Sequence, residues 1–159
     1  MDTAADITIR CSLEGGPADL TFEFGHTDGS QVTTRIVVSL PGGYASLNCY
    51  LLGYDLSRFA EDLSRLYETL DGRAVLTSFD ENVRIVAEVA DRARGRIALG
   101  GKVRRLGCSA DTAHEFDPVF EVAFAGLTTD QSYLPPVLTT LRRFLDSSGV
   151  ILGSPWTPG

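Results

Sequence analysis

Lysine, histidine, tryptophan and cysteine are all scarce in this chain of 159 residues. Lys102 is the only lysine, so the basic residues are almost all arginine, and the formal net charge is −7. This balance disfavours a generic phosphate-binding surface, and nucleic acid is therefore not an expected ligand. An acidic protein can instead be steered toward a basic partner, although moderate negative charge also keeps many proteins soluble.

The three cysteines are too few and too far apart to indicate a disulfide framework or a metal site. Cys11, Cys49 and Cys108 form no CxxC motif and no Cys/His pair with metal-ligand spacing. We expect reduced thiols, with Cys11 and Cys49 acting as small apolar residues inside strands. No metal or other cofactor is predicted.

Long apolar runs are also missing. No run approaches the roughly 20 residues that a membrane-spanning helix needs, and the N-terminal stretch shows no basic region followed by an apolar one. The sequence therefore predicts no membrane association and a cytoplasmic location. The 43% of hydrophobic residues is enough for an ordinary core. We predict one α+β domain over residues 1–147 and a Gly/Pro-rich C-terminal tail over residues 148–159.

Alternation of polar and apolar residues predicts about seven to eight strands, separated by turn signals. The connections are too short for βαβ crossovers, so the sheet should be mostly antiparallel, and we expect it to be strongly twisted. The polar segment 108–117 is predicted to be a flexible loop. The predicted strands span residues 6–13, 20–24, 32–40, 44–52, 73–79, 83–89 and 118–124, with one more beginning at Gly95 and containing a bulge at Gly100 and Gly101.

Two amphipathic helices complete the predicted α+β fold. Asp55 is the predicted N-cap of the first, whose apolar residues recur at helical spacing as far as Leu70. Asp130 is the predicted cap of the second, which runs to about Asp146. Pro135 and the proline after it fall within its first turn or two, where the backbone amides have no intrahelical acceptor.

No catalytic constellation is recognisable in the sequence. Only His26 and His114 could serve as a base for a nucleophile, and each lies in a polar turn or loop where a solvated role is the simpler interpretation. Carboxylate pairs and glycine-rich segments also lie in turns and match no phosphate-binding or cation-binding motif. We therefore predict a binding protein rather than an enzyme. One basic group could pair with neighbouring acids or form a small anion-binding patch: Arg92, Arg94, Arg96, Arg104 and Arg105.

The order of elements between residues 44 and 147 resembles one protein family. The resemblance is carried by Tyr54–Phe59 and its helix, the strand through Val83–Val89, Asp91 followed by Gly95–Ile97, and Asp130–Leu134 before a last helix. These features are similar to WapI-type bacterial immunity proteins. The resemblance implies a protein that protects a bacterium from its own or a sibling's toxin by binding the toxin domain, and it brings no catalytic residues.

Under this hypothesis the partner is a cognate protein toxin with a basic domain that an acidic protein can cover. The predicted contacts are the acidic residues clustered around the polar segment: Asp111, Glu115, Asp117 and Glu121. Two alternatives stay open. A small-ligand-binding or enzymatic α+β domain would need a sizeable pocket with converging polar groups. A structural or regulatory module would self-associate, for example as a homodimer, through an uncovered sheet face or edge.

Overall fold

Within residues 5–106 and 118–153, the part of the chain that the computed structural model describes, eight antiparallel strands form one sheet beside two α-helices. The predicted α+β class and its antiparallel sheet are therefore confirmed. The loop predicted over residues 108–117 lies outside the described residues. In chain order the elements are β1 (Ala5–Leu13), β2 (Gly16–Asp28), β3 (Gln31–Leu40), β4 (Gly43–Leu52), α1 (Gly53–Thr69), β5 (Arg73–Thr77), β6 (Val83–Asp91), β7 (Arg96–Leu106), β8 (Pro118–Asp130) and α2 (Leu134–Ser147).

The strand order in the sheet is β4-β3-β2-β1-β8-β7-β6-β5. Sequence neighbours thus lie side by side, except that β4 and β5 form the two edges and α1 connects them. This is the order of an up-and-down barrel that has been opened between β4 and β5. The sheet curls far enough to bring β4 close to β7 and β8, although β4 is not paired with either.

One face of the sheet is apolar because side chains alternate across each strand. On β2, Leu20, Phe22 and Phe24 point to this inner face and are almost completely buried. The β1–β2 register places Ile9 opposite Leu20 and Ile7 opposite Phe22, so the inner row continues from strand to strand. The polar residues between them face outward.

The two helices cover part of this inner face. Gly53, the first residue of α1, donates its N–H to the Ser30 carbonyl at 2.9 Å, which fixes the helix at the start of β3. Phe24 of β2 stacks on Phe144 of α2, with ring centroids 4.6 Å apart. The buried stripe of α1 includes Leu56, Phe59, Leu63 and Leu66, and that of α2 includes Leu134, Val137, Leu138, Leu141, Phe144 and Leu145.

The start of α1 differs from the sequence prediction. Leu52 is the N-cap residue, so the prediction of Asp55 as the cap was wrong. Asp55 is instead the third helical residue, and the Leu52 backbone N–H hydrogen-bonds its carboxylate, which is the return half of a capping box. Burial outweighs this bond and the nearby Arg58 charge, and it raises the pKa of the Asp55 carboxyl. Its Oδ2 is enclosed and finds no hydrogen-bond partner among the described residues.

Asp55→Asn should raise the free energy of unfolding at neutral pH. A native pKa above the unfolded value means that the charged carboxylate destabilises the fold, and this loss of stability disappears as the pH falls below the unfolded pKa. Urea unfolding of wild type and variant between about pH 7 and about pH 4 should therefore show their stabilities converging as Asp55 takes up a proton. A difference that stays constant or changes sign would contradict the raised pKa.

β7 contains the predicted bulge. Its pairing with β8 slips between Leu99 and Gly101. Gly101 lies opposite Ile85 of β6, where an added Cβ would come within 2.8 Å of the Ile85 Cα and closer still to the carbonyl of the preceding residue. At Gly100 the nearest atom to an added Cβ would be the Phe124 carbonyl oxygen at 3.4 Å. Only the second glycine of the pair is therefore required by close approach of another strand.

Gly101→Ala should lower the free energy of unfolding by about 1 to 3 kcal/mol, because the methyl group would displace β7 from the β6 backbone. Gly100→Ala is the matched control and should change stability by less than about 1 kcal/mol. Urea denaturation of the two variants makes the comparison. Equal losses would mean that backbone contact with β6 is not what requires glycine here.

β8 is longer than its sequence pattern predicts and continues past Phe124 to Asp130. Gly126, with φ of 77°, interrupts the alternation within it. Asp130 accepts a hydrogen bond from the Ser132 N–H at 2.8 Å and caps a short 3-10 turn, Gln131–Tyr133, so α2 itself begins later than predicted. The two prolines of α2 do lie in its first turn, as the sequence predicts.

Residues after α2 return to the body of the fold. Val150 is buried, and the Ile151 N–H donates to the Gly29 carbonyl at 2.9 Å. A Cβ on Gly53 would lie 2.7 Å from the Ile151 carbonyl oxygen, so this segment passes directly over the start of α1. None of the helices in the described ranges has the length and apolar character needed to cross a membrane.

Candidate functional site

Only one of the four acidic residues predicted to contact a partner lies in the described structure. Asp111, Glu115 and Asp117 lie outside the described residues. Glu121 is exposed on β8, directly opposite Arg104 of β7 in the strand register. The acidic cluster therefore stays a prediction.

The two histidines predicted to be solvated fall in different parts of the chain. His26 is exposed near the end of β2, as expected of a solvated residue. His114 lies outside the described residues. Within the described ranges, no group of three or more His, Cys, Asp or Glu side chains is arranged to hold a metal ion.

The curl of the sheet creates a surface that sequence reasoning did not find. We call it the seam: the strip between β4 on one side and β7, β8 and the turn 78–82 on the other. Two cavities open along it, one polar and one apolar. They bring together residues from opposite halves of the chain, which no local pattern relates.

The polar cavity has a volume of about 340 Å³. It lies where β4 faces the end of β7. Acidic, basic and neutral polar side chains converge on it. Its polar lining includes Asn48 and Tyr50 of β4, Asp80 and Asn82 of the turn, and Arg104 and Arg105 of β7.

The turn that forms one wall of this cavity is held by its own side chains. Ser78 Oγ donates to Asp80 Oδ1 at 2.7 Å, and Asn82 Nδ2 donates to Asp80 Oδ2 at 2.8 Å. Ser78 Oγ also accepts the Val83 N–H at 2.9 Å. Glu81 occupies the left-handed region with φ of 58°, which closes the turn tightly. The Asp80 carboxylate is therefore already engaged on both oxygens.

Arg104 attaches β7 to this turn through hydrogen bonds to backbone carbonyls and forms no ion pair with an acid in the described ranges. Its backbone N–H donates to the Asn82 carbonyl at 2.7 Å, and its Nη2 donates to the Glu81 carbonyl at 3.2 Å. Arg104 Nε and Asn82 Oδ1 are both enclosed without a hydrogen-bond partner among the described residues. Arg105 is exposed, and the ion pairs found in those ranges involve neither arginine.

The arginines that the sequence grouped together thus have different surroundings. Arg94 forms an ion pair with Asp91, with Nε and Oδ2 3.7 Å apart, and Arg92 donates to the Thr69 carbonyl at 3.5 Å. Arg104 and Arg105 are instead at the polar cavity. Within the described ranges, Arg94 is the one arginine of this group that forms an ion pair with an acid.

The apolar cavity has a volume of about 510 Å³ and lies at the other end of β4. Three inner-face side chains here, those of Leu13, Val122 and Phe124, pack against the core but are only partly buried. Leu40 is 41% exposed and Tyr44 is 69% exposed at its rim. Apolar area of this kind would be removed from water by a partner.

Exposed aromatic rings border the seam. Tyr44 and Tyr50 of β4 are 69% and 66% exposed, Phe79 in the turn is 64% exposed, and Phe120 of β8 is 62% exposed. Among the large exposed hydrophobic residues of the described ranges, Tyr133 is the one aromatic away from the seam. Aromatic residues and arginine are the types enriched at the centres of protein interfaces. The seam therefore has the composition of a protein-binding surface.

Cys49 is buried and Cys11 is partly buried, and neither thiol is suited to catalysis. Cys49 lines the polar cavity, and burial together with the nearby Asp80 charge raises its pKa to about 12. Burial and the Asp19 charge likewise raise the pKa of Cys11 to about 12. A nucleophilic cysteine requires a thiolate, which both environments disfavour. These residues act as small apolar side chains, which is the role predicted for them.

Cys11 and Cys49 should react slowly with iodoacetamide in the folded protein. At about pH 8, a thiol with a pKa near 12 is almost wholly protonated, so labelling should be at least roughly tenfold slower than in urea. Cys108→Ser removes the third thiol from the measurement, and mass spectrometry follows the rate at each site. Labelling of Cys49 at the same rate with and without urea would contradict its burial.

A comparison with protein families decides what kind of protein carries this surface. Residues 7–148, from β1 to the end of α2, match the model of the Immunity protein WapI-like family. The chain belongs to this family. No curated protein and no solved structure matches it. The resemblance recognised over residues 44–147 is confirmed, and the WapI-like family match extends it to the first three strands.

Proposed function

We propose that this WapI-like immunity protein neutralises a cognate bacterial toxin by binding it directly, without catalysing a reaction. Its family membership over residues 7–148 carries the proposal, because an immunity role requires a toxin as partner. In this proposal the protein acts in the cytoplasm of the bacterium that makes it. Neutralisation would follow from covering the toxin's working surface.

The seam supports direct protein–protein binding and is where we place the toxin. Tyr44, Tyr50 and Phe120 each offer a rigid ring whose burial contributes apolar contact at a small loss of rotamer freedom. The two cavities beside these rings can receive side chains of the partner. An aromatic anchor that fills a pocket is the usual centre of such an interface.

The acidic residues near the start of β8 would extend this surface. Asp111, Glu115 and Asp117 precede β8 in the chain, and Glu121 directly follows the exposed ring of Phe120. A protein with a net charge of −7 would attract a basic toxin domain and speed its approach. We propose that these acids contact the basic rim of the toxin.

The direct test uses a toxin domain encoded in the same gene neighbourhood, where the proposal expects the cognate toxin to be found. We expect it to copurify with the tagged immunity protein, and growth of a host making the toxin should be restored on co-expression. Light scattering on the immunity protein alone shows whether it enters the complex as a monomer or as a homodimer. Failure of both copurification and rescue would overturn the proposal.

Neutralising the four acids should slow association with the toxin by about tenfold at low salt and reduce its salt dependence. The variant carries Asp111→Asn, Glu115→Gln, Asp117→Asn and Glu121→Gln. Its control removes an equal number of negative charges from exposed positions elsewhere, through Glu61→Gln, Glu68→Gln, Glu88→Gln and Asp146→Asn. Stopped-flow association rates compare the two. Equal slowing would mean that only net charge matters, and unchanged rates would show that the acidic contact is wrong.

A further inference from the structure

We propose that the polar cavity of the seam binds a carboxylate, presented by an acidic side chain of the toxin. This inference rests on the proposed function, because the toxin is the partner that would present the group. It gives the seam a specific chemical preference within an otherwise acidic protein.

The donors of the polar cavity outnumber the acceptors that remain free. Asp80 is the carboxylate of the lining, and its oxygens already accept hydrogen bonds from Ser78 and Asn82. Arg105 is exposed, and the Arg104 side chain donates to the neutral backbone carbonyl of Glu81, so neither guanidinium meets an acid in the described ranges. A guanidinium fork matches a carboxylate in geometry as well as in charge.

Neighbouring strands strengthen the positive charge of this corner. Arg84 of β6 and Lys102 of β7 lie opposite each other in the register, and both are exposed. Glu121 lies opposite Arg104 but forms no ion pair with it. Because salt screens charges beyond about 8 Å, a group at the cavity is affected mainly by these nearby residues and little by the acids on other parts of the surface.

The cavity favours a protein carboxylate over a nucleic acid phosphate. A volume of about 340 Å³ admits one side chain, and the exposed rings of Tyr50, which lines the cavity, and of Phe120, which lies opposite Arg105 in the register, suit a protein surface. The net charge of −7 would also repel a polyanion.

A small probe tests the cavity without the toxin. N-acetylglutamyl amide, titrated into the ¹⁵N-labelled protein, should shift the Arg105 Nε and Asn48 side-chain signals with saturation on the order of 1 to 10 mM. Its neutral isostere, N-acetylglutaminyl amide, should not, and Arg105→Gln should abolish the response. A hexathymidylate strand is the competing ligand. Absence of saturable shifts, equal shifts with the isostere, or tighter binding of the oligonucleotide would each overturn the inference.

The complex supplies the second test. Arg105→Gln should weaken toxin binding by about tenfold to a hundredfold, because a charged hydrogen bond at an interface is lost. Arg143→Gln, an exposed arginine of α2, is the matched control and should leave affinity within about twofold. If Arg105→Gln leaves toxin binding unaffected, the inference that the cavity binds a carboxylate of the toxin is wrong, and the proposed immunity role is untouched. Binding of the glutamyl probe without any binding of toxin would instead overturn the proposed function, and with it the toxin as the source of the carboxylate.

Discussion

The apolar face shared by the eight strands must be shielded from water, and the rest of the structure depends on how this is achieved. Flat strands spaced by about 4.8 Å would make a sheet roughly 34 Å wide, whereas two helices side by side cover only about 20 Å. The helices cover the region around Phe24, and the sheet must curl to protect much of the remainder. The approach of β4 to β7 and β8 is therefore a consequence of core burial, and the seam exists because the closure is incomplete.

The two four-strand halves meet at β1 and β8, where the backbone ladder is short. Ser12 and Thr128 form the one paired position there, and their hydroxyl groups are 2.9 Å apart. Thr129 Oγ1 donates to the Arg10 carbonyl at 2.6 Å. Side-chain hydroxyls thus take over part of the work of main-chain hydrogen bonds, which buried polar groups require. The polar side chains of Ser12, Thr128 and Thr129 are explained by their hydrogen bonds at this junction.

Local physics made most of the fold predictable. Strict alternation from Ile7 onward marked the first strands, and helical spacing of leucines marked α1. The errors came where a tertiary contact adds to the local signal: the later segment at Ile151 lies so close to Gly53, the first residue of α1, that no side chain fits there. Gly126 hid the continuation of β8 by interrupting its alternation.

The candidate site could not be predicted in the same way. Tyr50 and Arg105 lie in opposite halves of the chain, and only the curl of the sheet brings them to one cavity. The resemblance in the sequence indicated the class of partner but no surface for it. Among the acids predicted instead, Glu121 lies close in sequence to seam residues of β8.

The division between the enclosed inner face and the exposed seam also affects how such a protein can evolve. Tyr44, Tyr50 and Arg105 contribute little to the interior, so replacing them should cost the fold little free energy. Inner residues such as Phe22 or Leu63 have no such freedom. A lineage can therefore exchange one specificity for another at the seam while keeping the same scaffold. Because the sheet does not close completely, the partner that is recognised can change while the fold stays the same.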